Sequence, residues 1–323
     1  MNETILRISD ELFAADAPHG VSLALVVMHR GEVVFERYGV APDTIFGRGG
    51  PITRDTPLTS WSMAKSITHA AVGILVGDGR LALDRPAAVT GWSGTPKAVI
   101  TLQDLLEMRP GLEWVEDYVD DSASHCIEML FGKGQDDMAA YAASLPMIRR
   151  PGSTWNYSSG TTNIISGIIG DIVGGGRSGM QSFLKDRLFE PIGMSSAVPK
   201  FDGRGTFVGS SYVDATARDF AKFGELYRHD GVVDERRVLP EGWRDHARTC
   251  VASDEDGFDY GRHWWLWRDQ PGSLACHGYE GQYCVVVPDR ELTVVHLGKS
   301  PADNRMELTS RLRTIINSVP VSA

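Results

Sequence analysis

A chain of 323 residues, 42% hydrophobic and 23% charged, has the material for one large domain or two fused lobes. Its net charge of −10, with no basic patch interleaved with aromatics, argues against nucleic acid or an anionic membrane as a partner. No run approaches the length of a membrane span.

The opening MNETILRISDELFAAD reads as an amphipathic helix, with neither the basic nor the apolar region of a secretion signal. Cys126, Cys250, Cys276 and Cys284 have no CxxC spacing and read as free thiols, so a cytoplasmic location is expected. VSLALVVMHRGEVVFERYGV (21–40) is two β-runs around HRGE, a hairpin signal. The stretch 61–77 is an apolar helix ending at GDG, and ITLQDLLEM (100–108) is a short helix closed by Pro110-Gly111. Residues 112–150 are irregular and acidic early, then helical through DDMAAYAASLP. NIISGIIGDIVGG (163–175), GMQSFLKDRLFEPIG (179–193) and DATARDFAKFGELYRHDG (214–231) are further helices. YGRHWWLW, QYCVVVP and LTVVHLG are strand-like, PDRE is a tight turn, and RMELTSRLRTIIN closes as an amphipathic helix. Strands at both ends with helices between predict an α/β lobe from residues 1–60 and 255–323, and a mainly helical lobe from 61–254.

Three elements carry chemistry. In LTSWSMAKSITHAAVGILVGDG (58–79), residues Ser62, Lys65, Ser66 and His69 fall on one stripe of an otherwise apolar helix, at about 100° per residue. Ser62 sits where free N–H groups and the helix dipole favour developing negative charge. Lys65, one turn on, can reach the serine hydroxyl and, if desolvated, accept its proton. Catalysis and a structural polar stripe both fit this pattern. A second SxxK, Ser182–Lys185 in SFLK, lies beside Asp186 and Arg187 and reads as surface. His69, two turns from Ser62, reads as a satisfied core histidine.

The second element is PGSTWNYSSGTTN (151–163), which puts Tyr157 just before a helix. A phenol near a lysine ammonium is drawn toward phenolate and can shuttle protons. Helix capping by Ser158, Ser159 or Thr161 explains the same residues. The third, CHGYEGQYCVVVP (276–288), sets a histidine and glycines before a strand. Its backbone N–H groups could complete an oxyanion hole with that of Ser62, or it is an ordinary glycine-rich loop. No GxSxG elbow and no HExxH or paired-cysteine zinc pattern occurs. GGGRSG (174–179) follows a helix, not a strand, and reads as a helix end.

In this order the three elements resemble the serine β-lactamase/penicillin-binding-protein superfamily, and within it the class C-like branch of family VIII carboxylesterases and 6-aminohexanoate-dimer hydrolases. The likeness runs from about residue 20 to about residue 300 and includes ITLQDLLEMRPGLEW, LFEPIGMSS and GYEGQYCVVVPDRELTVV. It implies an antiparallel sheet flanked by N- and C-terminal helices, beside an all-α lobe, with the active site between them. It implies Ser62 as nucleophile, Lys65 as base partner and Tyr157 as the YxN-motif tyrosine. The N–H groups of Ser62 and Tyr279 would form the oxyanion hole, and Tyr118, Ser159, His277 and Gly278 would contact substrate. No metal or cofactor is implied, nor any oligomeric state. Two departures stand out. Ser159 replaces the asparagine of many lactamases, and CHG (276–278) replaces the KTG motif, whose lysine binds a substrate carboxylate. Lys299 is too far along the chain to substitute; Arg262 is a loop arginine that could.

The expected activity is hydrolysis of a small amide or ester through a Ser62 acyl-enzyme. The alternatives are a β-lactamase or DD-peptidase, which act outside the cytoplasm, and an inactive ligand-binding relative, against which the intact Ser62, Lys65 and Tyr157 argue.

Overall fold

The chain places a continuous apolar run, SLALVVM, in the middle of a sheet, where both faces must be covered. The computed structural model describes residues 2–44, 48–119 and 123–322. Its main sheet has eight strands: β1 (Val21–His29), β2 (Glu32–Tyr38), β3 (Ala252–Ser253), β4 (Phe258–Tyr260), β5 (Trp265–Trp267), β6 (Leu274–Gly278), β7 (Gln282–Val287) and β8 (Leu292–Lys299). They lie antiparallel in the order β3-β4-β5-β6-β7-β8-β1-β2, so the N-terminal hairpin is sewn onto the C-terminal meander by the β1–β8 pairing. The HRGE turn has Arg30 at φ +55° and Gly31 at φ +82°, the positive angles of a two-residue hairpin turn that matches strand twist.

Alternation along each strand decides what covers each face. Leu25, Val27, Val285 and Val294 face α1 (Glu3–Leu12) and, at the far end of the chain, Arg305–Asn317, through Ile5, Ile8, Leu12, Leu312 and Ile316. Ala24, Val26, Cys284 and Val295 face the other way, into one apolar cluster shared with the helices between the two groups of strands. Those helices are α2 (Ala64–Gly77), α3 (Leu102–Leu106), α4 (His125–Phe131), α5 (Met138–Ser144), α6 (Ser159–Val173), α7 (Gly176–Leu184), α8 (Ala217–Arg228) and α9 (Trp243–Ala247); Arg305–Asn317 is α10. Among the described residues none is long and apolar enough to cross a membrane.

Two elements differ from the sequence expectation. α4 occupies part of the stretch read as irregular: Ser124 caps it by accepting from the Ile127 N–H, and only Cys126 and Met129 are buried, too short a stripe to register as periodic. The helix expected over 179–193 ends at Leu184 and continues as a single wider turn, Lys185–Phe189, which still buries Leu188 and Phe189.

α2 is the central helix. Every residue from Ala64 to Leu75 is buried, including Lys65, Ser66, Thr68 and His69. A helix this enclosed presents no solvated stripe, so each of its polar side chains needs an internal partner.

Candidate active site

The turn leading into α2 is strained. Trp61 has φ +44°, a left-handed conformation that a bulky side chain rarely adopts. Its surroundings over-determine it. The indole N–H donates to Glu280 Oε2 at 3.2 Å, and the ring packs on Tyr279 and Tyr212 at 5.8 and 5.6 Å. Ser60, just before, donates its N–H to the Val213 carbonyl and accepts from the Val213 N–H. The strain lifts Ser62 to the head of α2, in the three-residue turn Trp61–Met63.

One turn on, Lys65 is 2% exposed. Its Nζ lies 2.9 Å from Ser62 Oγ, 2.9 Å from Ser159 Oγ and 3.0 Å from the Ser210 carbonyl oxygen, and 4.8 Å from the centre of the Tyr157 ring. Tyr157 is wedged among Trp155, Tyr260 and Trp265. Burial pushes its phenol above the ordinary range by more than the Lys65 charge draws it down, so Tyr157 is a neutral phenol and not the phenolate that proximity to lysine alone suggests. The next residue, Ser158, caps α6 by accepting from the Thr161 N–H at 2.9 Å, so capping and the placement of Tyr157 come from the same short segment.

On the opposite side, β6 ends against the turn that carries Ser62. A side chain on Gly278 would come within 2.4 Å of the Ser60 carbonyl oxygen, so only glycine lets the strand approach and set Tyr279 beside Trp61. Ser62, Tyr118, Tyr157, His277, Gly278 and Tyr279 all line one cavity of about 460 Å³. The His277 ring stacks on Trp265 at 5.1 Å and its Nε2 accepts from the Trp267 indole N–H at 2.9 Å. Burial holds this imidazole well below its ordinary value, so it is neutral. Tyr118 stands at the cavity mouth, 40% exposed, 5.1 Å from the Tyr279 ring. Asp120 and Asp121, from the same acidic stretch, lie outside the described residues. Ser159, expected among the substrate contacts, is 1% exposed, with its hydroxyl between Lys65 and Glu116.

Glu116 escapes sequence reasoning, because in EWVEDYVDD it looks like one more solvated acid. In the structure its carboxylate accepts from the Trp114 indole N–H at 2.5 Å, the Ser159 N–H at 2.8 Å, the Ser159 hydroxyl at 2.5 Å and the Tyr118 hydroxyl at 2.8 Å. The capped helix start at Ser158–Ser159 is the one signal that an acid is wanted there.

The position where the resemblance calls for a lysine holds Cys276, 2% exposed in the apolar core and facing Cys284 across the sheet. Lys299 is paired with Glu280. Arg262 is paired with Glu107 at 2.8 Å and does not line the cavity, so it does not take the role the sequence allowed it. The arginine that does line it is Arg305, at the start of α10, stacked on Phe258 at 4.3 Å with Asp254 and Asp256 each 3.4 Å away. Ser182 and Lys185 are exposed, the latter paired with Glu190. His69 is fully buried, bonded to the Tyr227 hydroxyl at 2.7 Å and to His246 at 3.1 Å.

The chain is similar to known proteins. The Beta-lactamase family model matches residues 12–314. Protein Rv1367c of Mycobacterium tuberculosis (strain ATCC 25618 / H37Rv) is 27% identical over 258 residues, which cover 64% of this chain and 62% of the relative. A candidate 6-aminohexanoate-dimer hydrolase from Bacillus anthracis superposes with a TM-score of 0.75 at 22% identity, covering 92% of this chain and 78% of that one. A class C beta-lactamase from Rhodobacter sphaeroides superposes with a TM-score of 0.69 at 18% identity, covering 98% and 100%. At these identities the two superpositions speak for the fold.

Proposed function

The chain belongs to the beta-lactamase family, and on that premise we propose that it is a serine hydrolase cleaving a small amide or ester through an acyl-enzyme on Ser62. The observation that carries this reading is the buried Lys65 amine 2.9 Å from the Ser62 hydroxyl at the floor of an open cavity. Lys65 takes the serine proton as Oγ attacks the substrate carbonyl. The N–H groups of Ser62 and Tyr279 hold the resulting oxyanion, a role supported by the close seating of Gly278 on the nucleophile turn. As the tetrahedral intermediate collapses, the neutral Tyr157 phenol donates a proton to the departing amine or alkoxide and recovers one from the Lys65 ammonium. Water then enters and passes a proton to the same pair as it attacks the acyl carbon, and the pair returns that proton to Ser62 Oγ as the C–Oγ bond breaks and the acid product leaves. Tyr118, His277 and Gly278 shape the substrate's seat. Ser159 acts from behind Lys65.

A β-lactamase or DD-peptidase reading is the rival within the family. The core-buried Cys276 at the carboxylate-binding lysine position favours substrates that carry no carboxylate there. An inactive, ligand-binding relative would have no use for a lysine amine held against a serine hydroxyl. The four cysteines are free, which supports a reducing, cytoplasmic setting. Reaction with a fluorophosphonate probe, read by intact mass and peptide mapping, tests the reading. One adduct on Ser62 supports it, and no adduct on Ser62 overturns it.

A further inference from the structure

We propose that Glu116 is a positioning residue that fixes the direction in which the Ser62–Lys65 pair passes its proton. The inference rests on the serine-hydrolase reading above. It follows from a count of donors and acceptors around one amine.

A carboxylate only accepts hydrogen bonds. Glu116 Oε1 lies 2.5 Å from Ser159 Oγ, so the Ser159 hydroxyl hydrogen points at Glu116 and away from Lys65. What Ser159 offers Lys65 at 2.9 Å is therefore a lone pair. The Ser210 carbonyl, at 3.0 Å, is also an acceptor. A neutral lysine amine has two N–H bonds and one lone pair. Both N–H bonds are taken by these two acceptors, so the lone pair is left for the side that holds the Ser62 hydroxyl at 2.9 Å and, next to it, the Tyr157 phenol. That is the arrangement for accepting the serine proton. Once protonated, the ammonium donates to all three neighbours without any of them moving. Without the carboxylate, the Ser159 hydroxyl can rotate, donate to the Lys65 lone pair and turn an N–H bond toward Ser62, which blocks the transfer.

Glu116→Gln reverses the wiring. Oε2 faces two fixed donors, the Ser159 N–H and the Trp114 indole N–H, so the amide oxygen must stay on that side. The amide NH₂ then faces Ser159 Oγ and donates to it, and the serine's own proton is left to Lys65. The other titratable groups facing Lys65 and Ser159 are the Tyr157 phenol, the Cys126 thiol and the His263 imidazole. Glu116 itself raises the Tyr157 phenol and the Cys126 thiol and accepts from the Tyr118 hydroxyl, effects that do not pass through the Ser159 hydroxyl and that persist on a Ser159→Ala background.

The test measures the rate of fluorophosphonate labelling of Ser62 against pH for wild type, Glu116→Gln, Ser159→Ala and the double variant, with melting temperatures for each. Glu116→Gln is expected to label at least about tenfold more slowly on the pH plateau. Its pH midpoint should move down, because the Glu116 charge that raises the neighbouring Tyr157 phenol is gone. On the Ser159→Ala background the same substitution should cost less than about twofold, since the hydroxyl that relays the effect is gone. Equal losses on both backgrounds, or a midpoint that stays put, overturn the proposal, because a merely structural acid would behave that way. If Glu116→Gln unfolds, Glu116→Asp replaces it. This variant keeps an acceptor-only group and must label within about fivefold of wild type with an unmoved midpoint; a loss as large as that of Ser159→Ala overturns the proposal. Failure of wild type to label at Ser62 defeats the serine-hydrolase reading instead, so the two failures are distinct.

Discussion

Lys65 holds its Nζ 2.9 Å from the Oγ of Ser62 while almost fully withdrawn from solvent. An amine so placed cannot snorkel to water, and its three nearest polar neighbours are two serine hydroxyls and one carbonyl. Ser62→Ala should therefore abolish probe labelling and lower kcat by about 10⁴-fold or more, with the melting temperature nearly unchanged. Ser182→Ala, in the exposed second SxxK, should leave both intact. Full labelling of the Ser62→Ala protein would remove Ser62 from the reaction.

Lys65 and Tyr157 should behave as a single proton-transfer unit. The amine lies 4.8 Å from the ring centre, and the phenol interacts with both Ser62 and Lys65. Lys65→Ala or Tyr157→Phe alone should lower kcat by about 10²- to 10⁴-fold. The double variant should be within about threefold of the worse single one. Steady-state kinetics on one ester suffices. Multiplicative losses would mean that the two groups act independently.

The parts of this site legible in the sequence are those encoded by local pattern. An apolar helix with polar residues at positions 62, 65, 66 and 69 announces a buried polar stripe, because periodicity reports which residues share a face. The meander and its turns are written in alternation and in Gly, Asp and Pro. What pattern cannot report is which side chains from distant segments meet. Glu116 has the composition of a solvated loop, and only the fold delivers it to Ser159, 43 positions later. Arg262 looked able to reach a substrate carboxylate, but Glu107 claims it, and the start of α10 delivers Arg305, which no local pattern singled out, to the cavity wall. The Tyr157 phenol depends on the balance between burial and the lysine charge, which no spacing rule contains.

Acid should destabilise the fold well before it titrates carboxylates. Burial holds His263 and His246 down to about 3 and His296 to about 4. In the unfolded chain these imidazoles take protons below about pH 6.5. Between pH 6.5 and 4 the unfolded state thus binds more protons than the native state, and stability falls as pH falls. Full above about pH 6.5, it drops by up to about 1.4 kcal/mol per pH unit for each fully buried histidine such as His263 and His296. Melting curves from pH 7.5 to 4.5 should fall steadily, and a flat profile would refute the burial argument. His69→Gln should cost about 1–3 kcal/mol of stability through its lost bonds to Tyr227 and His246, with kcat within a few fold of wild type.

Tyr118 offers a way to separate amide from ester chemistry. Its phenol donates to Glu116 at 2.8 Å and its ring overhangs the cavity mouth against Tyr279. An amine leaving group needs a proton donor more than a p-nitrophenolate does. Tyr118→Phe should accordingly lower kcat/KM for a small linear amide by about tenfold and for a p-nitrophenyl ester by less than about threefold. Equal losses on the two substrates, or none, would take Tyr118 out of leaving-group chemistry.

The substrate class follows from which charges the cavity can neutralise. A substrate carboxylate seated beside β6 would meet Cys276 buried behind the strand instead of a lysine, and an unpaired anion in such a place is costly. Arg305 is the guanidinium on the cavity wall, and Asp254 and Asp256 already stand 3.4 Å from it while Phe258 covers one face. Glu116 and Glu280 line the same cavity, and the rest of its wall is largely aromatic, with Tyr118, Trp155, Tyr157, Trp265 and Tyr279. On the serine-hydrolase reading, such a site should favour short neutral or amine-bearing acyl groups over anionic ones. In a side-by-side comparison of kcat/KM, a short-chain p-nitrophenyl ester should be cleaved fastest, a 6-aminohexanoate-type linear amide more slowly, and a chromogenic cephalosporin with its carboxylate slowest or not at all. A cephalosporin preferred tenfold or more, a transition-state advantage of about 1.4 kcal/mol, would reverse the assignment and make Arg305 the carboxylate's partner.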